Sequence, residues 1–309
     1  MRAQTKRALP VVVVAGVSIP SVSLADWTMN MSPGVTATSN DIFSLHMTIL
    51  WICVAIGLVV FGVMFWSIIA HRKSRGHKPA NFHENTVVEI LWTIVPFAIL
   101  VAMAIPATAT LIDMYDASDA EVDIKVTGYQ WRWQYEYVDE EFSFFSNLTT
   151  PTDQVQNRQE KGENYLLEVD NPLKIPVGRK VRFLLTSNDV IHSWWVPKLG
   201  VKKDAIPGFI NEAWTRIDEP GTYRGQCTEL CGKGHGFMPI VVEAVPHEEY
   251  QAWVSDRRAV AEQERELTQK DWTRDELMER GESVYNTVCA ACHQVDGNGS
   301  PPAFPALRG

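Results

Sequence analysis

Hydrophobic residues follow two different patterns along this chain. Residues 42–70 and 90–112 contain no Asp, Glu, Lys or Arg. At about 1.5 Å per helical residue, each run is long enough to cross the roughly 30 Å hydrocarbon core of a bilayer. Between residues 121 and 245 the pattern changes to short apolar segments separated by Pro and Gly, which is typical of strands in a sandwich or small barrel. The sequence therefore predicts a membrane α-helical hairpin followed by an all-β sandwich.

Charge at the N-terminus and between the apolar runs predicts the topology. Positive residues, an apolar stretch and small residues up to Ala25 indicate a secretory signal over residues 1–25. The loop 71–89 carries four Lys or Arg, whereas 26–41 carries none, so the loop is expected in the cytoplasm. The hairpin, residues 26–115, then leaves both termini and the sandwich outside. This flanking charge argues against the alternative of two buried helices in a soluble protein.

The β region, residues 116–248, contains one segment in which aromatic residues alternate with polar ones. "GYQWRWQYEY", residues 128–137, has the period of two that predicts a strand with one apolar face. Further strands are predicted at "YLLEV" (165–169), "KVRFLLT" (180–186), "VIHSWWV" (190–196), "TYRGQ" (222–226) and "MPIVVEA" (238–244). Residues 249–273 lose this pattern and predict a helical linker, and 274–288 predict a helix leading into "CAACH".

The chain is acidic, with a formal net charge of −9. Residues 113–170 hold fourteen Asp or Glu against four Lys or Arg. This segment is either an ordinary solvated surface or a landing face for a basic partner. We expect no nucleic-acid partner.

One short segment, "CTELCGKGHGFM", carries an unusual set of donors. It holds Cys227, Cys231, His235 and Met238, and His192 lies on an earlier predicted strand. Thiolates, imidazoles and a thioether form a soft donor set that suits copper, and two thiolates from one loop can bridge two ions. A disulfide or a structural zinc site would also use these cysteines, but neither alternative uses Met238. Cys53, within the first span, is interpreted as a small buried hydrophobic residue.

The C-terminal segment contains "CAACH", the attachment pattern of haem c. In this pattern Cys289 and Cys292 form thioethers and His293 is an axial ligand. The sixteen residues after His293 include no Met or His. We therefore expect residues 274–309 to form the N-terminal part of an α-helical cytochrome c domain, with the sixth iron ligand outside this chain.

Four motifs in this order resemble subunit II of the haem–copper cytochrome c oxidases, in the bacterial form with a fused cytochrome c domain. They are "ENTVVEILWTIVP", "GYQWRWQYEY", "VIHSWWVPKLGVKKDAIPG" and "GQCTELCGKGHGFMPIVVE". The resemblance implies a cupredoxin sandwich that holds the dinuclear copper centre CuA. It implies electron transfer from cytochrome c, or from the chain's own haem c, through this centre to haem in subunit I, where oxygen is reduced and protons are pumped.

The same resemblance implies roles for individual residues. The copper ligands would be His192, Cys227, Cys231, His235, Met238 and the backbone carbonyl of Glu229. The Glu229 side chain would contact a magnesium ion shared with subunit I. Trp131 would receive electrons from cytochrome c, and Glu89 would lie at the mouth of a proton-uptake path. The implied partners are subunits I and III and a cytochrome c donor, in the bacterial inner membrane.

Two other functions use some of the same residues. A membrane-tethered copper chaperone or thiol–disulfide protein would use Cys227 and Cys231, but it predicts a βαβ pattern and leaves Met238 without a role. Nitrous oxide reductase also carries CuA, but it needs a large catalytic domain and no membrane hairpin. Neither alternative accounts for both the hairpin and the complete donor set.

The role implied for Trp131 can be tested by substitution. Because strict alternation would place its ring with the buried aromatics, we expect a local bend or bulge that exposes it above the copper. We predict that Trp131→Gln slows electron uptake from reduced cytochrome c in stopped-flow measurements and leaves the copper absorption spectrum unchanged. Loss of copper from the variant would contradict this role and indicate a structural one.

Overall fold

The fold is described from a computed structural model that covers residues 30–78, 81 and 83–307. The signal segment expected at 1–25 lies outside these residues. The described chain consists of a pair of long helices, a β-sandwich of two sheets, and a helical C-terminal region. This order of elements agrees with the order that the hydrophobic pattern predicts.

The two apolar runs form helices α1 (Ala37–Ala70) and α2 (Thr86–Tyr115). Both are long and apolar enough to cross a membrane, with lengths of roughly 50 and 45 Å. Thr36 begins α1 in a capping box, in which the Thr36 hydroxyl accepts from the Ser39 N–H at 3.0 Å and the Ser39 hydroxyl accepts from the Thr36 N–H. Asn85 caps α2 by accepting from the Val88 N–H.

The helix ends next to the sandwich are bonded to it. The Val35 N–H donates to the Lys198 carbonyl at 2.9 Å, and the Thr36 hydroxyl donates to the Leu199 carbonyl at 3.0 Å. At the end of α2, the Trp214 indole donates to the Asp113 carbonyl at 3.0 Å. These bonds hold the start of α1 and the end of α2 against the sandwich, and thereby orient the sandwich relative to the hairpin.

The sandwich contains ten strands and one short α-helix. The strands are β1 (Val122–Tyr129), β2 (Arg132–Tyr137), β3 (Phe142–Ser146), β4 (Leu173–Pro176), β5 (Val181–Ser187), β6 (His192–Val196), β7 (Val201–Ala205), β8 (Asn211–Thr215), β9 (Gly221–Cys227) and β10 (Pro239–Val245). Helix α3 (Thr152–Val155) lies in the long connection between β3 and β4.

The ten strands form two five-stranded sheets. The first has the order β3-β2-β1-β5-β8 and the second has the order β4-β10-β9-β6-β7. Neighbouring strands are antiparallel except for β1 with β5 and β4 with β10. Large side chains from both sheets, including Trp133, Tyr135, Phe183 and Trp194, are fully buried between them. This burial of apolar area is the main force that holds the sheets together.

The aromatic segment 128–137 is a hairpin, and the prediction of a single strand was wrong. β1 ends at Tyr129, β2 begins at Arg132, and these two residues are paired across the ladder. Gln130 and Trp131 form the two-residue turn. Trp133, Tyr135 and Tyr137 alternate into the core as the pattern predicted. Trp131 escapes this alternation because the chain reverses there, without a bulge within a strand.

The strand predicted at "YLLEV" was also wrong. Residues 163–166 form a turn, Leu166 has a positive φ of 61°, and only Val169 makes an isolated bridge, to Leu148. Leu166 and Leu167 are partly exposed within the β3–β4 connection. These apolar residues therefore lie on the surface of a loop. A short hydrophobic run in the sequence does not distinguish such a loop from a strand.

The predicted linker is a regular helix, α4 (His247–Gln269), that packs on the sandwich. Tyr250 and Val254 are buried, and the Trp253 ring lies 5.2 Å from that of Tyr137 and 5.5 Å from that of Phe142, centroid to centroid. Helix α5 (Arg274–Val284) follows, and the chain continues through one wider π turn, Tyr285–Cys289, into α6 (Ala290–His293). The predicted helix before "CAACH" is therefore confirmed.

The packing of α4 leads to a prediction about stability. Because the Trp253 ring is half-buried among aromatic side chains, Trp253→Ala should destabilise the folded chain by about 2 kcal/mol. We expect a lower thermal midpoint by circular dichroism of the full chain in detergent, and faster proteolysis within residues 247–269. Gln251→Ala, on the exposed face of α4, is the control. Equal behaviour of the two variants would show that α4 is not held by this packing.

Candidate metal centre

The predicted donors come together at one end of the sandwich. His192 begins β6, Cys227 ends β9, and Cys231, His235 and Met238 lie on the connection between β9 and β10. β6 and β9 are hydrogen-bonded neighbours, and Trp194 of β6 is paired with Cys227. This pairing brings two donors that are 35 residues apart in sequence onto adjacent strands.

The donor atoms lie close enough to share metal ions. The Cys227 and Cys231 sulfurs are 3.8 Å apart, and both cysteines are free thiols. His192 Nδ1 lies 3.9 Å from the Cys227 sulfur, and His235 Nδ1 lies 3.6 Å from the Cys231 sulfur. Each cysteine thus has one histidine beside it.

Two weaker donors complete the set. The Met238 sulfur lies 3.6 Å from the Cys231 sulfur, and the Glu229 backbone oxygen lies 3.4 Å from the Cys227 sulfur. Met238 is almost fully buried. The structure therefore brings together all six groups that the sequence resemblance implied.

This donor set fits copper better than the alternatives. The two thiols are not joined in a disulfide, and a four-coordinate zinc site of two Cys and two His would leave the inward-facing thioether and carbonyl unused. Two thiolates between two imidazoles, with a thioether at one end and a carbonyl at the other, provide a soft ligand set with a place for two ions.

His192 is oriented by groups that the sequence reasoning missed. Its Nε2 lies 2.8 Å from the Asp189 carboxylate, which leaves Nδ1 directed at the sulfur of Cys227. Asp189 also accepts from the Gln130 N–H at 2.7 Å. A carboxylate that bonds the distal nitrogen of a histidine fixes its tautomer and ring orientation. The spacing Asp189-x-x-His192 was visible in the sequence, but its meaning depends on the turn that brings the two side chains together.

Packing beneath the donors was missed as well. The Trp133 ring lies 5.9 Å from the His192 ring in a T-shaped arrangement, and its indole donates to the Met238 carbonyl at 3.2 Å. Gly128 faces His192 so closely that a Cβ built there would lie 2.7 Å from His192 Cδ2. The imidazole therefore occupies space that only glycine leaves open.

The environment acts on the two thiols in opposite directions. Burial raises the pKa of Cys227, but hydrogen bonds from His192 and the backbone outweigh it and lower this pKa to about 7. Burial and the neighbouring Cys227 raise the pKa of Cys231 to about 12. Burial lowers the pKa of His192, but Cys227 and Asp189 together raise it. Two adjacent buried thiolates are costly without a cation, so metal binding would displace the Cys231 proton.

The β1–β2 turn is hydrogen-bonded to the metal loop, the connection between β9 and β10 that carries Cys231, His235 and Met238. The Gln130 side-chain amide and the Trp131 indole both donate to the Cys231 carbonyl, at 2.8 and 3.1 Å. The Trp131 ring covers Gly234 so closely that a Cβ there would lie 2.4 Å from the ring. Trp131 is half-buried, so the expectation of a ring exposed above the loop is only partly met.

Two carboxylate side chains with implied roles lie away from the donor atoms. The side chain of Glu229 is exposed while its carbonyl faces Cys227. Glu89 lies in the first turn of α2, at the end opposite Tyr115, and accepts from the Asn85 N–H at 3.3 Å. The structure thus places Glu89 on the far side of the hairpin from the sandwich, where it also caps its helix.

The residues of "CAACH" have an arrangement that fits haem attachment. Cys289 and Cys292 are three residues apart on a helical segment, so their side chains share one face. His293 Nδ1 lies 2.9 Å from the Pro305 carbonyl. Since a carbonyl only accepts, Nδ1 carries the proton and Nε2 remains available as a ligand.

The acidic segment 113–170 is partly neutralised by ion pairs. Seven of its fourteen carboxylates pair with Lys or Arg, and they belong to Glu121, Asp123, Glu136, Glu140, Glu141, Asp153 and Glu168. Glu140 and Glu141 pair with Arg258 and Arg265 of α4. Part of the acidic surface therefore holds the helix that leads to the haem-attachment segment.

Comparison with known protein families gives matches along most of the chain. The family described as "Cytochrome C oxidase subunit II, periplasmic domain" matches residues 122–245. The family described as "Cytochrome C oxidase subunit II, transmembrane domain" matches residues 25–109, and "Cytochrome c" matches residues 278–309. The boundaries of the first match coincide with the first and last strands of the sandwich.

Individual relatives agree with these matches. The chain is 40% identical over 235 residues to a probable cytochrome c oxidase subunit 2 of Rickettsia bellii, covering 76% of this chain and 86% of that protein. It is 39% identical over 239 residues to cytochrome c oxidase subunit 2 of Cereibacter sphaeroides, covering 73% and 79%. The solved periplasmic domain of subunit II of cytochrome oxidase of Bradyrhizobium japonicum is 40% identical, covers 46% of this chain and 97% of its own, and aligns with a TM-score of 0.42.

The contact between Gly128 and His192 leads to a prediction about metal binding. Gly128→Ala should push the imidazole away from Cys227 and weaken copper binding by on the order of 10-fold or more. The bound copper can be measured by competition with a chelator. Gly236→Ala is the matched control, because it lies in the metal loop with open space at its Cβ position. Equal copper affinity in both variants would contradict a built-in position for His192.

Proposed function

We propose a function for this chain from one premise, that it belongs to the cytochrome c oxidase subunit II family. It is a subunit of cytochrome c oxidase, and it is a membrane protein whose cupredoxin domain lies outside the cytoplasm. In the proposal, the sandwich holds the dinuclear CuA centre, accepts electrons from cytochrome c and passes them to haem in subunit I. Oxygen reduction and proton pumping then occur in subunit I.

The observation that carries this proposal is the convergence of the donors. His192 and Cys227 face each other from adjacent strands, and Cys231 lies between Cys227 and His235. Met238 and the Glu229 carbonyl close the two ends of the set. Copper bound by these groups would supply a one-electron redox centre whose charge is shared over two ions.

The chain's own residues would keep this centre rigid and dry. Cys227, Cys231 and Met238 are buried, His192 is fully buried, and Asp189 and Trp133 hold its ring from two sides. Donors that are fixed before the electron arrives do not need to rearrange afterwards. A small rearrangement favours fast electron transfer, so this preorganisation supports the proposed role.

Trp131 is proposed as the group through which electrons from cytochrome c arrive. Its partly exposed indole donates to the carbonyl of Cys231, and therefore connects the outer surface to a ligand through one hydrogen bond. The exposed carboxylate of Glu229 is proposed to contact a magnesium ion shared with subunit I. The carbonyl of the same residue faces Cys227, so the magnesium ion would lie beside the copper centre.

The C-terminal segment is proposed to carry a covalent haem c on Cys289, Cys292 and His293. The domain division proposed is a hairpin over 26–115, the cupredoxin domain over 116–248, a linker helix over 249–273 and the beginning of a cytochrome c domain over 274–309. A haem held through α4 would be a donor at high effective concentration for the copper centre, with a separate cytochrome c as the other source of electrons.

The proposed location is the bacterial inner membrane, with subunits I and III as partners. The positive loop between α1 and α2 supports a cytoplasmic position for Glu89, at the beginning of α2. From there its carboxylate would mark the mouth of a proton-uptake path into subunit I. The signal peptide proposed for residues 1–25 would direct the sandwich to the periplasm.

The proposal is tested in the assembled oxidase with matched cysteine variants. We expect Cys231→Ser to lower oxygen consumption with reduced cytochrome c by on the order of 100-fold, because it removes a shared ligand. The haem of subunit I should remain reducible by a small artificial donor. Cys53→Ser, in the first span, should have wild-type activity.

Two results would contradict the proposal. Wild-type oxygen consumption by Cys231→Ser would exclude electron transfer through this site. Recovery of the variant's activity on adding copper salts would indicate that the thiols deliver copper to another site instead of holding it.

A further inference from the structure

A cavity of about 540 Å³ lies where the edge of the first sheet meets α4. β3 is the outermost strand of that sheet. The cavity lies along the edge of β3, between the β2–β3 hairpin and helix α4. It is separate from the metal centre, and none of the copper, magnesium or haem residues proposed above lines it. The residues that line it include Arg132, Gln134, Ser143, Asn171, Arg257 and Glu264.

The two arginines of this cavity differ from the others in the same region. Residues 116–269 contain nine arginines. Seven have a carboxylate within 4.0 Å, namely Arg158, Arg179, Arg182, Arg216, Arg224, Arg258 and Arg265. All nine lie in the described part of the chain, and the two of them without such a partner, Arg132 and Arg257, both line this one cavity.

Aromatic rings hold both guanidinium groups in place. Arg132 Cζ lies 3.8 Å from the centre of the Phe145 ring, and Arg257 Cζ lies 4.8 Å from the centre of the Phe144 ring. Arg257 also donates to the Asn171 side-chain oxygen at 2.9 Å. A guanidinium group that stacks on a ring uses its flat face for the contact. Its N–H donors point outward in the plane of the group and remain available to an anion.

The remaining lining adds neutral donors and one negative charge. Gln134, Ser143 and Asn171 offer amide and hydroxyl groups, while Val260 and Ala261 of α4 form an apolar wall. Glu264 is the one carboxylate among the lining residues. Two guanidinium groups and one carboxylate leave the cavity with a net positive charge.

We propose that this cavity binds a phosphate group, either as free phosphate or as the phosphate of a monoester. A phosphate offers acceptor oxygens in several directions, so it can bond Arg132 from the sheet and Arg257 from α4 together. Planar guanidinium forks match phosphate oxygens in pairs, and a hydroxyl on the ligand can donate to Glu264. The cavity is large enough for a polyatomic anion with an attached group, and a chloride ion would not fill it.

The position of the cavity gives such binding a consequence. Arg132 directly follows Trp131, and Arg257 lies one turn after Trp253 in the helix that leads to the haem-attachment segment. A ligand held by both arginines would fasten α4 to the β1–β2 hairpin. Occupancy should therefore stabilise the folded sandwich together with α4, by an amount that depends on ligand concentration.

The test uses the full-length chain in detergent and measures binding of inorganic phosphate and pyrophosphate directly, by equilibrium dialysis at constant ionic strength. We expect saturable binding of one ligand per chain, with pyrophosphate binding more tightly because it has more charge. Arg132→Gln and Arg257→Gln should each weaken binding by about tenfold or more, since each removes a charged bidentate partner. Arg257→Lys should retain part of the affinity because it keeps the charge.

Arg216→Gln is the matched control, since Arg216 is exposed, pairs with Asp218 and lies outside the cavity. Circular dichroism of every variant confirms that a loss of binding does not come from unfolding. The proposal is overturned if the wild type shows no saturable binding. It is also overturned if folded Arg132→Gln and Arg257→Gln variants bind as tightly as the control.

Two further probes distinguish the sources of the phosphate. Glycerol 3-phosphate and a short-chain phosphatidic acid both carry a phosphate monoester, and only the phosphatidic acid carries acyl chains. Much tighter binding of the phosphatidic acid, lost in the arginine variants, would identify a lipid as the source. Phosphatidic acid binding that is equal to or weaker than that of glycerol 3-phosphate would identify a soluble phosphate.

Discussion

The crowding of two thiols, two imidazoles and a thioether into a buried space is the constraint on which this structure depends. Cys227 and Cys231 lie 3.8 Å apart, and the pKa of Cys231 is raised to about 12 because burial and its neighbour oppose a second thiolate. Without a cation the pair cannot carry both charges at neutral pH. The surrounding structure holds the donors in place despite this cost. Gly128 leaves room for His192, and hydrogen bonds to Asp189 and the Cys231 carbonyl fix the loops on either side.

The same sandwich connects three parts of the chain to this centre. Hydrogen bonds from Val35 and Trp214 bind it to the membrane helices. The β1–β2 turn brings the Trp131 indole to the metal loop. The aromatic packing of Trp253 and the ion pairs of α4 with the β2–β3 turn hold the helix that precedes the haem-attachment segment. Since each connection is made through packing or hydrogen bonds, the loop that carries the metal donors has a defined position relative to helices α1, α2 and α4.

Sequence patterns predicted the parts of this architecture that depend on composition. The uncharged runs predicted α1 and α2, and the donor types in "CTELCGKGHGFM" predicted which side chains converge. They failed where tertiary contacts decide. The even alternation of 128–137 concealed a turn at Gln130 and Trp131, because aromatic residues suit both the strands and the turn that packs on the metal loop. The roles of Asp189 and Gly128 could not be inferred from the sequence, since they exist only once the fold places both residues beside His192.

If the donors hold two copper ions that share one electron, electron paramagnetic resonance of the copper-loaded, oxidised full-length chain in detergent will detect it. We expect two coppers per chain and a hyperfine pattern from one unpaired electron distributed equally over both. A pattern from a single copper ion, or a chain that retains no copper after dialysis, would contradict it.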